Sequence, residues 1–552
     1  MRFNVVVFVI AALSTYPAAL AIQHGLDPSL WPSGLLSWSQ ALRDLNVIDM
    51  VAAYLGVVAG RSPSFAGGGW SLPVALALAP PAVLLTYRFA PRRAQPPRDV
   101  SGLFGDARFA SSEDLAVRSR GLELGRDPET GSVVRVAVQG TLVTIAPPRK
   151  GKTSGLLIPN LAFPEPGSWS GPAVVIDPKG EVFRAVAERR RALGRRVLCL
   201  DPLGKLGQDR WNPLVDRDPS DILYLQQTAV ALLPAAGGGA ESEASAYFRN
   251  RAVDLIVGAM LVALHNDQRS VAAVQILLSD EDRLIEQLKA LGPTPAALSA
   301  LELLQADPKT KDPIKSTALQ VFQWLADERV RNMVTGSTFK LADLSSGNVD
   351  LFIILPPEHK RVLAPLLRWI LSDLFTSVRR NPPKDRLMVF IDEAAALGRF
   401  DEILTASAEL PGYGASLWTM WQDRSQIIDL YGQAGADTIL NTAEFVTIFD
   451  IPAVDPYEAE RWSKALGQYS ARVETLSRPA EGAGARTISS STQAAPLMSA
   501  QALTSLPASD LIVIPNSAGL SKAPMRLHKI AAHRDPRFKK LIVPVPPVGQ
   551  AI

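Results

Sequence analysis

Residues 141–153 read TLVTIAPPRKGKT, an apolar, β-branched run that breaks into a turn and ends in Gly151-Lys152-Thr153. This stretch constrains the fold more tightly than any other in the chain. A phosphate-binding loop needs a strand to deliver it and a helix starting behind it, because a helix N-terminus supplies converging free backbone N–H groups. A strand is therefore expected before the loop and a helix from Lys152. On this reading Pro147, Pro148, Arg149, Lys150, Gly151, Lys152, Thr153 and Ser154 line the phosphates of ATP. Lys152 reaches the β- and γ-phosphates and the Thr153 hydroxyl binds Mg²⁺. One position departs from G-x-x-x-x-G-K-[ST]: Ala146 stands where the first glycine is expected.

A second motif supplies what a phosphate cradle alone lacks. Residues 387–393 read LMVFIDE, five apolar residues followed by two carboxylates. Such a run is a strand buried on both faces. An Asp-Glu pair after a strand can simply cap the next element. Beside a phosphate loop it has the Walker B arrangement, with Asp392 on the Mg²⁺ side and Glu393 polarising the attacking water. Residues 415–421 (ASLWTMW) form a third apolar run, and Gln422 ends it. In RecA-like motors a polar residue at this strand end senses the γ-phosphate; an ordinary strand-terminating Gln is the plainer alternative.

At 552 residues the chain is long enough for two to four domains, and 47% hydrophobic with 20% charged residues is a globular composition. A net charge of +3 argues neither for nor against a nucleic-acid partner. The single cysteine, Cys199, excludes an internal disulfide and sits in an apolar run where a small buried hydrophobe is expected. Residues 5–22 carry no charge and residues 70–87 are similar, with Pro80-Pro81 as a kink; both have the length of membrane spans. Arg88, Arg92, Arg93 and Arg98 follow the second span, which places both termini in the cytoplasm with a short external loop between the spans. The competing reading of the first segment is a cleaved signal peptide, built on Arg2, the apolar stretch and Ala19-Leu20-Ala21.

The body alternates strands and helices. Strands are expected at 173–176, 196–200, 350–355, 387–391, 415–421 and 445–449, with helices such as 182–193 and 363–379 between them. Repeated strand–helix–strand units imply an α/β fold with a mainly parallel sheet, and sites at the carboxyl ends of its strands. From 219 to 333 the texture turns helical: Phe248, Ala252, Leu255, Ile256, Ala259 and Ala263 recur at helical spacing. Ser279-x-x-Asp282 has capping-box form, and 265–269 and 307–312 are expected loops. The division expected is an anchor over 1–90, a nucleotide-binding domain in two parts (91–218 and 334–542), an all-α insertion over 219–333, and a Pro-rich disordered tail over 543–552. Arg184, Arg189, Arg190, Arg191, Arg195 and Arg196 form either a solvated helix face or a polynucleotide-facing surface.

Several distinctive stretches resemble one family: Gly105-Asp106-Ala107-Arg108-Phe109-Ala110, the loop continuing into Gly155 to Asn160, and Val175-Ile176-Asp177-Pro178-Lys179-Gly180-Glu181. Trp211-Asn212-Pro213-Leu214, FIDEAAALG at 390–398, Gly412-Tyr413-Gly414 and Gln422-Asp423-Arg424-Ser425-Gln426 complete the set. Nearly end to end the chain is similar to the TraG-type coupling proteins of type IV secretion and conjugation systems. The resemblance implies a RecA-like ATPase anchored in the bacterial inner membrane and assembled as a homohexamer. Its partners would be a relaxase–DNA complex or protein effectors, and the inner-membrane components of the secretion channel. The all-α insertion would recognise substrates; Lys152 and Thr153 would bind ATP and Mg²⁺, Asp392 and Glu393 would form Walker B, and Gln422 the sensor. Some members carry an arginine in the turn before the sensor strand, a turn that here, at 411–416, has none. Either another arginine, such as Arg424, acts on a neighbouring subunit, or hydrolysis is slow without partners. A DNA pump of the FtsK type, or a nucleotide-gated receptor with little turnover, are the alternatives.

Overall fold

The computed structural model describes residues 96–99, 101–234, 242–477, 487–516 and 523–543. The two expected membrane spans and all but the first residue of the expected tail lie outside them. Among the described residues no helix is long and apolar enough to cross a membrane. The chain divides into two compact units, the larger being Val100–Ser470 with Gln493–Ile552. In the described part of the smaller unit, Arg98 bridges Ala471 and the Arg472 N–H donates to the Pro97 carbonyl over 2.9 Å.

The strands in chain order are β1 Leu122–Arg126, β2 Val133–Val136, β3 Thr141–Ile145, β4 Ala173–Asp177, β5 Arg196–Leu200, β6 Val349–Ile354, β7 Leu387–Ile391, β8 Ala415–Trp421, β9 Ala443–Ile448, β10 Gln468–Ser477, β11 Thr487–Pro496, β12 Asp510–Pro515 and β13 Met525–His528. β10 and β11 pair with each other, and the other eleven form one sheet in the order β2-β1-β13-β12-β9-β3-β8-β7-β4-β6-β5. From β9 to β5 every pairing is parallel, and from β2 to β9 every pairing is antiparallel. β3, β4, β6, β7 and β8 are buried at every position. Crossover helices cover both faces of a parallel sheet, so its strands carry unbroken apolar runs rather than alternation.

The antiparallel extension was invisible in the sequence. β13 has four residues with alternating burial, and β1 is interrupted by Gly125. Neither carries a pattern strong enough to separate a strand from a loop.

The main helices are α1 Glu181–Ala192, α2 Ile222–Leu232, α3 Glu243–His265, α4 Val271–Ser279, α5 Glu281–Ala290, α6 Pro295–Leu304, α7 Pro308–Gln320, α8 Glu328–Met333, α9 Lys360–Arg380 and α10 Arg424–Thr442. α10 is two helical stretches joined across Gly432, whose φ of 70° breaks the ladder. From α2 to α8 the described residues contain no strand. These helices share one continuous hydrophobic core with the sheet: Leu225, Leu255 and Leu288 belong to the same cluster as Leu371, Val389 and Trp421.

Two local expectations change. Ser279 closes α4, with its hydroxyl donating to the Gln275 carbonyl at 2.9 Å, and Asp280 caps α5 by accepting from Arg283 N–H at 3.2 Å. The carboxylate wins the cap because it sits one residue nearer the first turn. Residues 308–312 are helix, not loop: Asp307 accepts from Lys309 N–H at 2.9 Å and Pro308 occupies the first turn, where its missing donor costs nothing.

The arginine run is a solvated face only in part: Arg184, Arg191 and Arg196 are exposed, whereas Arg190 is buried and Arg189 and Arg195 are half-buried. Arg190 is fully buried and grips Asp350 with two bonds of 2.7 and 2.8 Å. Arg189 donates to the Ala162 and Phe163 carbonyls, and Arg195 to those of Gly347 and Ser170. Arg196 pairs with Asp343 at 3.1 Å. Arg189 and Arg190 of α1, with Arg195 and Arg196 after it, tie neighbouring segments to this part of the chain. Cys199 is buried, as expected, and burial pushes its thiol pKa up.

Candidate active site

Register brings the three motifs together. Ile145 of β3 lies opposite Trp421 of β8, Thr419 of β8 opposite Ile391 of β7, and Ile391 opposite Ile176 of β4. Four adjacent parallel strands therefore end within about two residues of one another, and each hands its next residues to one edge of the sheet. β8 lies between the loop strand β3 and the carboxylate strand β7.

The loop from 146 to 151 turns sharply. Ala146 is buried, donates its N–H to the Trp421 carbonyl at 2.9 Å, and is not among the positive-φ residues. Its backbone needs no glycine, which accounts for the departure from the motif. Gly151 does need its identity, with φ 88°, and Arg149 adopts φ 62° at a cost of about 1–2 kcal/mol for a residue bearing a Cβ. Helical geometry begins at Lys152 and runs as a π-turn over Thr153–Leu157 before an α-turn over Ile158–Ala162. Pro159 has no N–H to continue the regular ladder, and the Ile158 N–H reaches back to the Thr153 carbonyl. Behind the loop the Ala532 N–H donates to the Ser154 carbonyl at 3.0 Å, and Lys150 pairs with Asp450 after β9 at 2.5 Å. Pro147 and Pro148 occupy the turn between β3 and Arg149.

Five expected residues converge. Lys152 Nζ donates to the Asp392 backbone carbonyl at 2.5 Å and lies 3.4 Å from Glu393 Oε2. Thr153 Oγ1 lies 3.2 Å from Asp392 Oδ2 and 3.3 Å from Oδ1. Gln422 Nε2 lies 3.1 Å from both carboxylate oxygens of Glu393. The Gln422 N–H in turn donates to Gln426 Oε1 at 3.0 Å, in the first turn of α10, which Asp423 caps. Burial raises the Asp392 pKa, against the pull of Lys152 and Thr153.

The sequence marked Asp177 without assigning it a role. At the end of β4 it accepts from Phe183 N–H at 2.8 Å, and the Asp392 N–H donates to the adjoining Ile176 carbonyl at 3.3 Å. Burial, with the charges of Asp392 and Glu181, pushes its pKa to about 7. Part of its signal was available: a carboxylate at the end of a fully apolar run.

Arg424, the candidate for a trans arginine, is buried and committed to Asp437 at 3.0 Å. An arginine does reach the turn before the sensor strand, from another segment. Arg386 Nη1 donates to Ser416 Oγ at 3.1 Å and to the Pro411 carbonyl at 3.4 Å. It stands ahead of β7, at the edge opposite the nucleotide motifs.

The arrangement gathers a lysine, a hydroxyl, two carboxylates and an amide at one edge of the sheet. Residues 120–548 match the model for the type IV secretory system conjugative DNA transfer family. The chain belongs to that family. It is 24% identical over 426 residues to protein VirD4 of Rhizobium radiobacter, covering 74% of this chain and 59% of that one. It thus spans about three fifths of that relative's length. Its fold is shared with the bacterial conjugative coupling protein TrwBdeltaN70 in a trigonal form with sulphate, with TM-score 0.61, 18% identity and coverage of 81% of this chain and 99% of that one. The plasmid coupling protein TrwB in complex with ADP and Mg²⁺ aligns with TM-score 0.60 at 18% identity, over 81% and 98% of the two chains.

Proposed function

We propose that this protein is the coupling ATPase of a type IV secretion apparatus. It is a homohexameric motor in the bacterial inner membrane that recruits relaxase–DNA complexes or protein effectors and delivers them to the secretion channel. The observation that carries the reading is the convergence of Lys152, Thr153, Asp392, Glu393 and Gln422 at one sheet edge, from three non-consecutive segments. Family membership supports the transfer role, and the TrwB complexes with nucleotide support the ATPase role.

Each side chain has a task in this chemistry. Gly151 and the N–H groups that follow it cradle phosphate oxygens, and Lys152 neutralises the charge of the transferring group. The Thr153 hydroxyl and the Asp392 carboxylate are two hard oxygen donors already in contact, a set that fits Mg²⁺. Mg²⁺ held by these two residues would supply neutralising charge to the phosphates. Glu393 accepts a proton from the attacking water, and Gln422 holds its carboxylate in position. Loss of the γ-phosphate would be felt through Gln422 by Gln426 and α10.

The test is a transfer assay in cells paired with hydrolysis by the purified protein. Lys152→Ala should abolish ATP turnover and cargo transfer together; normal transfer by that variant would overturn the motor role. Purifying the cytoplasmic body from cells and identifying bound nucleic acid or protein decides the cargo class.

A further inference from the structure

Helices α2 and α9, which fall on opposite sides of the expected domain division, are laced together by polar contacts. Tyr224 Oη lies 3.1 Å from Asp373 Oδ2, and Gln227 Nε2 reaches Ser372 Oγ at 3.2 Å and Thr376 Oγ1 at 3.1 Å. The same Gln227 amide donates to Glu402 Oε1 at 3.1 Å, in the helix Glu402–Glu409 that follows the Walker B segment.

Arg368 completes this lacing on the side of the site. It is 5% exposed, and no carboxylate pairs with it among the described residues. Burial draws its pKa down to about 10. Its Nε donates to the Ala231 carbonyl at 2.8 Å, Nη2 to Leu232 at 3.0 Å and Nη1 to Leu397 at 2.8 Å. A buried guanidinium without a counter-ion is costly, and a packed Leu or Met would serve stability alone better. Two of the three carbonyls belong to the last turn of α2, where unpaired C=O groups and the helix dipole favour a cation. The third closes the 3₁₀ turn Ala394–Leu397, which begins at the residue after Glu393.

We propose that Arg368 is a positioning residue that couples the nucleotide state at Asp392-Glu393 to the end of α2, and so to the helices that follow it. The proposal rests on the ATPase reading above. Its physical basis is the planar fork of the guanidinium, which holds three acceptors in a fixed relation. A displacement of 394–397 that keeps the bond to Leu397 must carry the end of α2 with it or break two others.

Hydrogen exchange over residues 222–232 of the full chain, with ADP and with a non-hydrolysable ATP analogue, tests this. In the natural protein the last turn of α2 should exchange at rates differing by about fivefold or more between the two states. Arg368→Lys keeps the charge and loses the fork; it should bind both nucleotides normally and lose that difference. Gln227→Leu loosens the same helix pair without touching Leu397, and should keep it. Equal loss in both variants means general loosening and overturns the proposal, as does a difference that survives Arg368→Lys. If Arg368→Lys does not fold, the natural protein still decides: α2 exchange that ignores nucleotide state overturns the coupling. A natural protein that binds neither nucleotide overturns the ATPase reading itself.

Discussion

Glu393 sits between two side chains that the chain supplies from far apart, Lys152 and Gln422. Its isosteric amide keeps the shape and removes the base. Glu393→Gln should bind ATP and lose hydrolysis by about 10²–10⁴-fold; equilibrium nucleotide binding measured beside turnover checks this, and equal loss of both would show that the role is misassigned. Gln422→Leu leaves the carboxylate but frees its position. Hydrolysis should fall by about 10²-fold with nucleotide affinity retained, read from the split between kcat and KM. Ala146 and Gly151 show how far residue-level reading extends. The motif asked for glycine at both, but only Gly151 takes a positive φ. The turn arginine shows its limit. The expected local residue is missing, Arg424 is held by Asp437, and Arg386 reaches the turn from the neighbouring strand's start.

At the scale of elements, α1 is set by ion pairs that its sequence makes look like surface. Arg190 and Asp350 are both fully buried, and Asp350 also accepts from Ala173 N–H at 3.0 Å, so one carboxylate joins α1, β4 and β6. Arg190→Leu should destabilise the fold by about 3–5 kcal/mol, because it strands a buried charge. Adding Asp350→Leu should cost less than the sum of the single changes, which a double-mutant cycle by denaturant unfolding measures. The strands β3, β4, β6, β7 and β8 were legible because burial on both faces writes a mostly apolar run. Arg190 could not be told from its exposed neighbours because charge in a sequence records composition, whereas its pairing depends on a carboxylate 160 positions away.

At the scale of the whole molecule, the helical segment is not a detachable module. α2 shares its core with α9, and Arg368, Trp369 and Ser372 direct polar groups at it. Removing residues 219–333 should therefore cost cooperative folding as well as cargo docking. A deletion that starts after 234 and retains α2 should be better tolerated. Thermal unfolding of the two deletion proteins compares them; equal melting would show that α2 adds nothing to the body.

The local parts were legible from the amino-acid order: a strand and glycine turn ahead of Lys152, a carboxylate pair after a buried strand, a Gln ending another, and a long helical stretch. Each is written in neighbouring residues, through hydrophobic period, turn chemistry and motif spacing. Their order in the sheet came from long-range packing. β8 lies between β3 and β7, so Gln422 meets Glu393 while Lys152 and Thr153 meet Asp392. It also decided that Asp177 stands beside them and that Arg368 ties the segment after Glu393 to α2. Strand neighbours and buried partners are chosen by packing across hundreds of residues, and no local pattern records that choice. The phosphate loop could be read from thirteen residues; the site around it exists only once the sheet has closed.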